Sequence, residues 1–425
     1  MDKIASVHDF TEKLRQPHVL PEILQYLQKI NRARNSESEV FSDSSVLSEQ
    51  TPKTYSLNQL FAHHGSSFTA PLSINLDLTV ACNYRCPHCI DKHIINTRGF
   101  FDLDELVNLL TVLRLAGLRS IILIGGGEPT IHPKFQEAVR AIKYLGLQCA
   151  LVSNGSKIQN VVNVAEYFTQ GDWIRFSLDA GSDSIFQHLH HPVRPISLQE
   201  ICRQAAIIKQ RNPLIQLGFS FIVMTPEAVA DNQELTENYR EMEQATLLAK
   251  QNSFDYVAFK PYLTRDADGK EVIPHHKSDQ SIAVIRTELE KTKQYEDKEF
   301  RVLASINLLN LFDPQSLAAA NRQPRRCNMQ ALRQVVTPRG IYACPAYRGN
   351  PNSYLGDQHG YSSVQNFVQT QRKTREQVMS FDASKECQNI SCIYNTTNWW
   401  LDSLERQIIP TDQIETIAVE QEIFL

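Results

Sequence analysis

Three cysteines, Cys82, Cys86 and Cys89, occupy the run ACNYRCPHCID with C-x3-C-x2-C spacing. Clustered cysteines in a reducing compartment bind metal or do redox chemistry more often than they form disulfides. A four-iron cubane is normally held by four thiolates, so a triplet leaves one iron with an open position. An open metal site is where a ligand enters and reacts. Taken alone, the spacing also suits zinc, with His88 or His93 as a further ligand.

Downstream, IGGGEPT supplies Gly125, Gly126 and Gly127, which leave the backbone bare for close approach of a ligand, and Glu128, which can accept from an ammonium group. Pro129 and Pro133 allow a plainer reading, a tight strand-to-helix turn capped by an acid. Ser153-Asn154-Gly155 and Ser177-Leu178-Asp179 add small polar groups and a second carboxylate. A second cysteine set, Cys327, Cys344, Cys387 and Cys392, can hold a cluster or a structural zinc. Cys149 and Cys202 are left over and read as small buried hydrophobes. His188, His190 and His191 lack the acid or cysteine spacing of a metal site and read as surface or substrate contacts. Tyr256 and Lys260 share a strand face open to a pocket or to ordinary packing, and Trp399 and Trp400 read as packing beside the last cysteines.

These residues need a frame. Short strands near 73–79, 120–125, 148–153, 173–179, 215–223 and 254–260 alternate with helix-like segments, and such alternation implies a parallel sheet. Asp102 and Glu105 form a capping-box pattern ahead of the stripe Leu103, Leu106, Val107, Leu110 and Leu113, with Gly117 as the stop. Six strands over about 190 residues are too few for an eight-stranded barrel of about 250. The expected fold is α/β, a partial (β/α)6 TIM-type barrel. Ile74, Leu76 and Leu78 alternate with Asn75, Asp77 and Thr79, and Ile174, Phe176 and Leu178 with Arg175, Ser177 and Asp179. Parallel strands in a filled barrel are apolar on both faces, so the polar face is expected to line a ligand-holding lumen. The polar motifs then fall at strand C-termini, the rim where barrel enzymes place their sites.

Pro21 opens a short helix with Ile23, Leu24, Leu27 and Ile30 on one face, followed by a serine-rich linker, so residues 1–70 read as an appendage. The barrel is expected over 71–300. Beyond it the alternation stops, Pro338-Arg339-Gly340 turns a hairpin that carries Cys344, and 301–425 reads as a small α+β domain. The 425 residues carry a net charge of -4, which gives no long-range attraction for nucleic acid or an anionic membrane. No stretch approaches the ~18 apolar residues of a membrane span, and the start lacks a signal-peptide pattern. A cytoplasmic protein is expected.

The motifs across about residues 71–262 resemble the radical SAM superfamily, enzymes that cleave S-adenosylmethionine (SAM) reductively to a 5'-deoxyadenosyl radical that takes hydrogen from a substrate. The resemblance implies that Cys82, Cys86 and Cys89 bind a 4Fe-4S cluster. It implies further that Gly126, Gly127 and Glu128 meet the methionyl amino group, that Ser177 and Asp179 hold the ribose, and that Ser153 and Asn154 line the same pocket. His88 stands where the family often has a larger aromatic beside the adenine. Cys327, Cys344, Cys387 and Cys392 resemble a twitch or SPASM-type extension that binds an auxiliary 4Fe-4S cluster, although the final C-x4-C is wider than the usual C-x2-C. Cys344 or Cys387 could instead be a free thiol that returns hydrogen to a substrate radical. The family's extension is common in maturases of ribosomally made peptides, so a peptide substrate, epimerised or crosslinked, is expected, with a flavodoxin- or ferredoxin-type electron donor. The enzymatic alternative is a small-molecule dehydrogenase or mutase. The non-catalytic one is a zinc or electron-transfer protein.

Overall fold

Apolar side chains at every second position fix where the central sheet forms and which way it faces. In β1 (Ser73–Leu76), Ile74 and Leu76 are buried against the covering helices. The same face of β2 (Ser120–Leu123), β3 (Gln148–Ser153), β4 (Trp173–Ser177) and β5 (Gln216–Val223) presents Leu123, Leu151, Ile174 and Leu217, which follow Leu76 in register. β6 (Tyr256–Pro261) continues the parallel set. All six expected strands are present, and they form a partial barrel. A computed structural model describes residues 5–6, 10–35, 70–274, 278–390, 392–417 and 422–425. The serine-rich linker lies outside the described residues.

The alternation does not stop at residue 300. β7 (Arg301–Ala304) adds to β6 in parallel, and Ala5–Ser6 adds to β7. Its four residues follow the charged run EDKEF without a turn signal, too little for a periodicity reading. The expected hairpin is present as β8 (Arg333–Thr337) and β9 (Gly340–Tyr342), followed by β10 (Tyr354–Gly356). β8 also pairs in parallel with β1, Gln334 opposite Ile74, so the C-terminal hairpin extends the barrel sheet to eleven strands.

Helix Leu103–Leu115 shows how the local signals work. Asp102 accepts a hydrogen bond from the Asp104 N–H at 2.9 Å, a cap worth about 1 kcal/mol. Leu106, Leu109, Leu110 and Leu113 are buried, and Gly117 follows at φ +113°. The amphipathic N-terminal helix is Leu20–Asn35; its Ile23 and Leu27 share a second core with Met329, Leu332, Tyr394 and Leu401. The N-terminal appendage is thus packed onto the C-terminal region. Phe424 closes the base of the lumen: it meets Trp173 edge-on at 5.5 Å, while Ile423 bonds to the Ser120 and Gln148 side chains. No helix among the described residues is long and apolar enough to cross a membrane.

Candidate functional site

The three clustered cysteines lie on the loop after β1. Asn96 Oδ1 accepts from the Cys82 N–H at 2.9 Å, and the Arg85 N–H reaches the His190 carbonyl at 3.1 Å. The thiols face one another closely enough that each ionised sulfur would disfavour the next. Burial pushes Cys82 up to about 11, Cys89 to about 12 and Cys86 well above its ordinary value. Free thiolates are therefore costly here, and a cation bound among them would offset the cost.

The glycine-rich turn after β2 packs over this loop. A Cβ on Gly127 would lie 2.2 Å from the Ala81 carbonyl oxygen, and one on Gly126 would lie 2.8 Å from Asp77 Oδ2. The glycines are required first by the chain's own backbone, a reason the sequence reading did not give them. Glu128 caps the turn as the plainer reading had it: Oε1 accepts from the Thr130 N–H (3.0 Å) and the Thr130 (2.6 Å) and Ser153 (2.8 Å) hydroxyls. Its Oε2 accepts only from the Asn154 N–H, at 2.7 Å, and the residue lines the cavity, so one acceptor position is left for an incoming donor. Ser153 and Asn154 thereby anchor Glu128, and Asn154 Nδ2 also donates to Asn83 Oδ1 at 3.1 Å.

At the end of β4, Ser177 turns to the lumen. Asp179 is buried with its Oδ1 accepting the Ile222 N–H at 2.6 Å and its Oδ2 3.6 Å from His88 Nε2 and 3.5 Å from His190 Nε2. Burial alone would raise the Asp179 carboxyl, but the two imidazoles and the Ile222 N–H hold it below its usual range. Of the surface and substrate-contact roles expected of it, His190 does not take the surface one; it borders the cavity. It is buried, with Nδ1 3.3 Å from Cys86 Sγ and Nε2 3.0 Å from the Leu178 carbonyl, while His188 and His191 are exposed. Helix Asp183–His190 ends in a left-handed His191, which turns the residue before it inward. Nothing in the HLHH run signals which of the three faces in.

A cavity of about 660 Å³ joins these groups, within the usual range for small-molecule sites. It runs from Cys82, Cys86 and Cys89 down past Ser177, Tyr256 and Lys260 to Phe424, and Cys344 and Cys392 border it from the C-terminal side. Cys327, Cys344, Cys387 and Cys392 come from four separate segments, yet they gather: on top of burial, the other three raise Cys327, while Cys344 and Cys387 raise Cys392 and Cys344 raises Cys387. Cys387 is not among the cavity-lining residues, and its Sγ lies 3.8 Å from Tyr347 Oη. Trp399 is 40% exposed and donates to the Arg322 carbonyl.

Thiolates around one tetrahedral zinc would stand roughly 3.8 Å apart. The one trio of candidate ligands among the described residues with all donor atoms within 4.8 Å is Cys86, His88 and His190. Neither cysteine group is gathered that tightly. Arg348, which sequence reading missed, ties the two regions together: its Nη1 lies 2.9 Å from Asp77 Oδ2, 3.2 Å from Asp91 Oδ2 and 2.5 Å from the Gly125 carbonyl. The Gly126 N–H also donates to Asp77 Oδ2, at 2.9 Å.

A family model described as the radical SAM superfamily matches residues 76–237. An S-adenosylmethionine-dependent nucleotide dehydratase of Thermoplasmatales archaeon (strain ISO4-H5) is 35% identical over 108 residues, 25% of this chain and 38% of that protein. A tungsten-containing aldehyde ferredoxin oxidoreductase cofactor-modifying protein of Pyrococcus furiosus is 32% identical over 106 residues, 24% of this chain and 30% of that protein. The chain thus spans about a third of the length of these two relatives. Among solved structures, Streptococcus suis SuiB bound to precursor peptide SuiA superposes with a TM-score of 0.56 at 12% identity, covering 90% of this chain and 86% of that one, a likeness of fold. The segment 76–237, built on the loop that carries the three clustered cysteines, is thus the part of the chain that matches the radical SAM superfamily.

Proposed function

We propose that this chain is a radical SAM enzyme with one auxiliary cluster. Cys82, Cys86 and Cys89 hold the 4Fe-4S cluster at which SAM binds, and Cys327, Cys344, Cys387 and Cys392 hold a second. The observation that carries the reading is three mutually facing thiols at the mouth of a polar lumen beside Glu128, with the four others grouped apart. Bound together, reduced cluster and SAM supply a hydrogen-abstracting carbon radical, chemistry that no side chain provides.

The chain's own residues orient and enclose. Glu128, fixed by Thr130, Ser153 and Asn154, offers its remaining Oε2 position to the methionyl ammonium of SAM. The Ser177 hydroxyl faces the lumen where the ribose would lie, and Asp179 stiffens that wall by holding Ile222, His88 and His190. His88 is kept buried at the cavity edge beside the adenine. Phe424 and the Trp173 ring shut the base against water. Of the two candidate hydrogen-returning thiols, Cys344 borders the cavity and is the better placed.

The substrate we favour is a peptide, epimerised or crosslinked; the shared fold with a protein solved in complex with its precursor peptide supports this. A small polar molecule is the second reading, favoured by the depth of the cavity and by relatives named as nucleotide dehydratases. A reducing cytoplasm suits nine cysteines that are all free. Anaerobic reconstitution tests the core: about eight irons per chain and reductant-dependent 5'-deoxyadenosine from SAM are expected. Stoichiometric zinc without that product would overturn it.

A further inference from the structure

The lumen carries more positive charge than its own acids balance. Four of the carboxylates that border the cavity pair with basic side chains, Asp91 with Arg265 and Arg348, Asp179 with two histidines, Glu271 with Arg265 and Glu422 with Lys13, while Glu128 is held by Ser153 and Asn154 with one Oε2 position open. Arg175 and Lys260 pair with none of them. Among the described residues neither has a carboxylate within ion-pair distance, and Arg175 Nε is buried without a hydrogen-bond partner. The guanidinium rests only on the Trp173 ring, 5.1 Å from its centroid.

Strand register explains how the two cations come to share a space. Arg175 stands opposite Gly218, and Gly218 opposite Tyr256, where a Cβ on Gly218 would strike the Tyr256 ring at 2.2 Å. Two residues up the strands, the next layer is Ser177, Ser220 and Ala258. One layer higher, Lys260 stands opposite Ile222. Barrel interiors are normally filled by bulky layers; here the middle layer is small, and a long cationic side chain approaches it from below and another from above. Burial lowers both groups' pKa, Lys260 well below its ordinary range; the Arg175 charge adds to the effect on Lys260, and Asp179 opposes it without reaching ion-pair distance. Uncompensated cations at this depth cost stability, and water in the cavity would solvate them without cancelling their charge. Across the lumen, Arg333 adds another cation, hydrogen-bonded to Asn75 Oδ1 at 2.7 Å and set over the Tyr394 ring at 5.2 Å.

We infer that the space between Arg175 and Lys260 is an anion subsite that receives a carboxylate or phosphate group of the substrate. The inference rests on the proposed enzyme only for calling the ligand a substrate; the subsite itself is testable without cluster or SAM. A guanidinium offers paired donors to an oxyanion, and an ammonium opposite it completes the charge. A peptide would enter with an acidic side chain, a small molecule with its own carboxylate or phosphate.

Trp173 reports on the site because Arg175 rests on it. Full-length chain labelled with 5-fluorotryptophan, the Trp173 resonance assigned with Trp173→Phe, is titrated with inorganic pyrophosphate in one arm and glutarate in the other. A saturable shift of the Trp173 signal is expected in at least one arm, and the arm that saturates distinguishes phosphate from carboxylate. Arg175→Gln and Lys260→Gln should each weaken that binding at least ~10-fold, the size of losing one charge-assisted contact. Lys260→Met, which removes a buried unpaired charge, should raise the thermal midpoint of the anion-free protein. No shift in either arm, a shift that survives the double variant, or a lower midpoint in Lys260→Met would overturn the subsite. An equal loss of SAM affinity in the glutamine variants would assign the cations to the methionyl carboxylate and overturn it too. A failure to make 5'-deoxyadenosine, with anion binding intact, would overturn only the radical chemistry.

Discussion

Cys82, Cys86 and Cys89 arrive together on one loop, whereas Cys327, Cys344, Cys387 and Cys392 are delivered by a loop, a hairpin end, a helix end and a helix start. Local delivery leaves the first group bordering the cavity that Glu128 also lines. Distant delivery joins four segments at the second group, of which Cys344 and Cys392 border the cavity, and a cluster held there would staple the C-terminal region. A site that must admit a ligand can be built on a single flexible turn, because its neighbours supply rigidity. A site that closes on itself draws rigidity from, and returns it to, everything it joins. The two groups should therefore differ in what their loss does: chemistry in one case, folding in the other.

The sharpest test replaces Cys82, Cys86 and Cys89 with alanine together. Iron should fall from about eight to about four per chain, and 5'-deoxyadenosine should drop to background while the far-UV spectrum and thermal midpoint stay near those of the parent. If the product persisted, the comparison would collapse at its first step. The C-terminal group should behave oppositely. Stripping its metal releases a loop closed between Cys327 and Cys392, which by loop-closure arithmetic is worth roughly 4 kcal/mol. Urea unfolding after chelation, and protease cleavage between 381 and 395, would register that loss; a Cys387→Ala variant should show it and Cys89→Ala should not.

Arg348 couples the regions, so changing it should disturb both. Its removal in Arg348→Met leaves Asp77 buried without its cation and Asp91 with Arg265 alone, a cost of about 3 kcal/mol, and loosens the Gly125–Gly126 turn, so KM for SAM should rise. Asp77→Asn should cost less. Burial pushes Asp77 up to about 7 in spite of Arg348, so the folded state keeps a proton there that the unfolded chain gives up near its ordinary value of 3.8. Between those values the folded protein binds more protons, and stability must fall as the pH rises. Asp77→Asn should flatten that part of the stability curve; an unchanged slope would mean that Asp77 is already ionised throughout.

Much of the barrel was legible because its signals are local. Capping by Asp102, the stripe of leucines behind it and the alternation in β1 and β4 depend on residues within a turn or two of each other. The pairing of β8 with β1 was not legible, since nothing in RQVVT specifies a partner at residues 73–76. Arg348 and His190 were missed for the same reason. The acids of Arg348 lie 271 and 257 residues away, and His190 is distinguished from His188 and His191 only by the helix end that turns it toward Cys86. The glycine run was marked as special but for a ligand's sake, when the Ala81 backbone already demands it. What sequence could not reach was every feature whose cause is a contact between distant segments.

The smallest expected effect bears on what makes a cysteine functional in this chain. Cys149 and Cys202 are as deeply buried as any, both at 0% exposure, and burial raises both thiols as it raises the clustered ones. Cys149 lies on β3 facing the helices, and Cys202 lies inside helix Leu198–Arg211. No second thiol approaches either among the described residues, so burial has no metal charge to answer it, and each is a small hydrophobe. Cys149→Ala and Cys202→Ala should each cost about 1 kcal/mol in urea unfolding and leave iron content and 5'-deoxyadenosine yield where they were. A loss of iron in either would mean that depth, rather than the company of other thiols, recruits the metal, and the contrast between the two cysteine groups would then have to be drawn on different grounds.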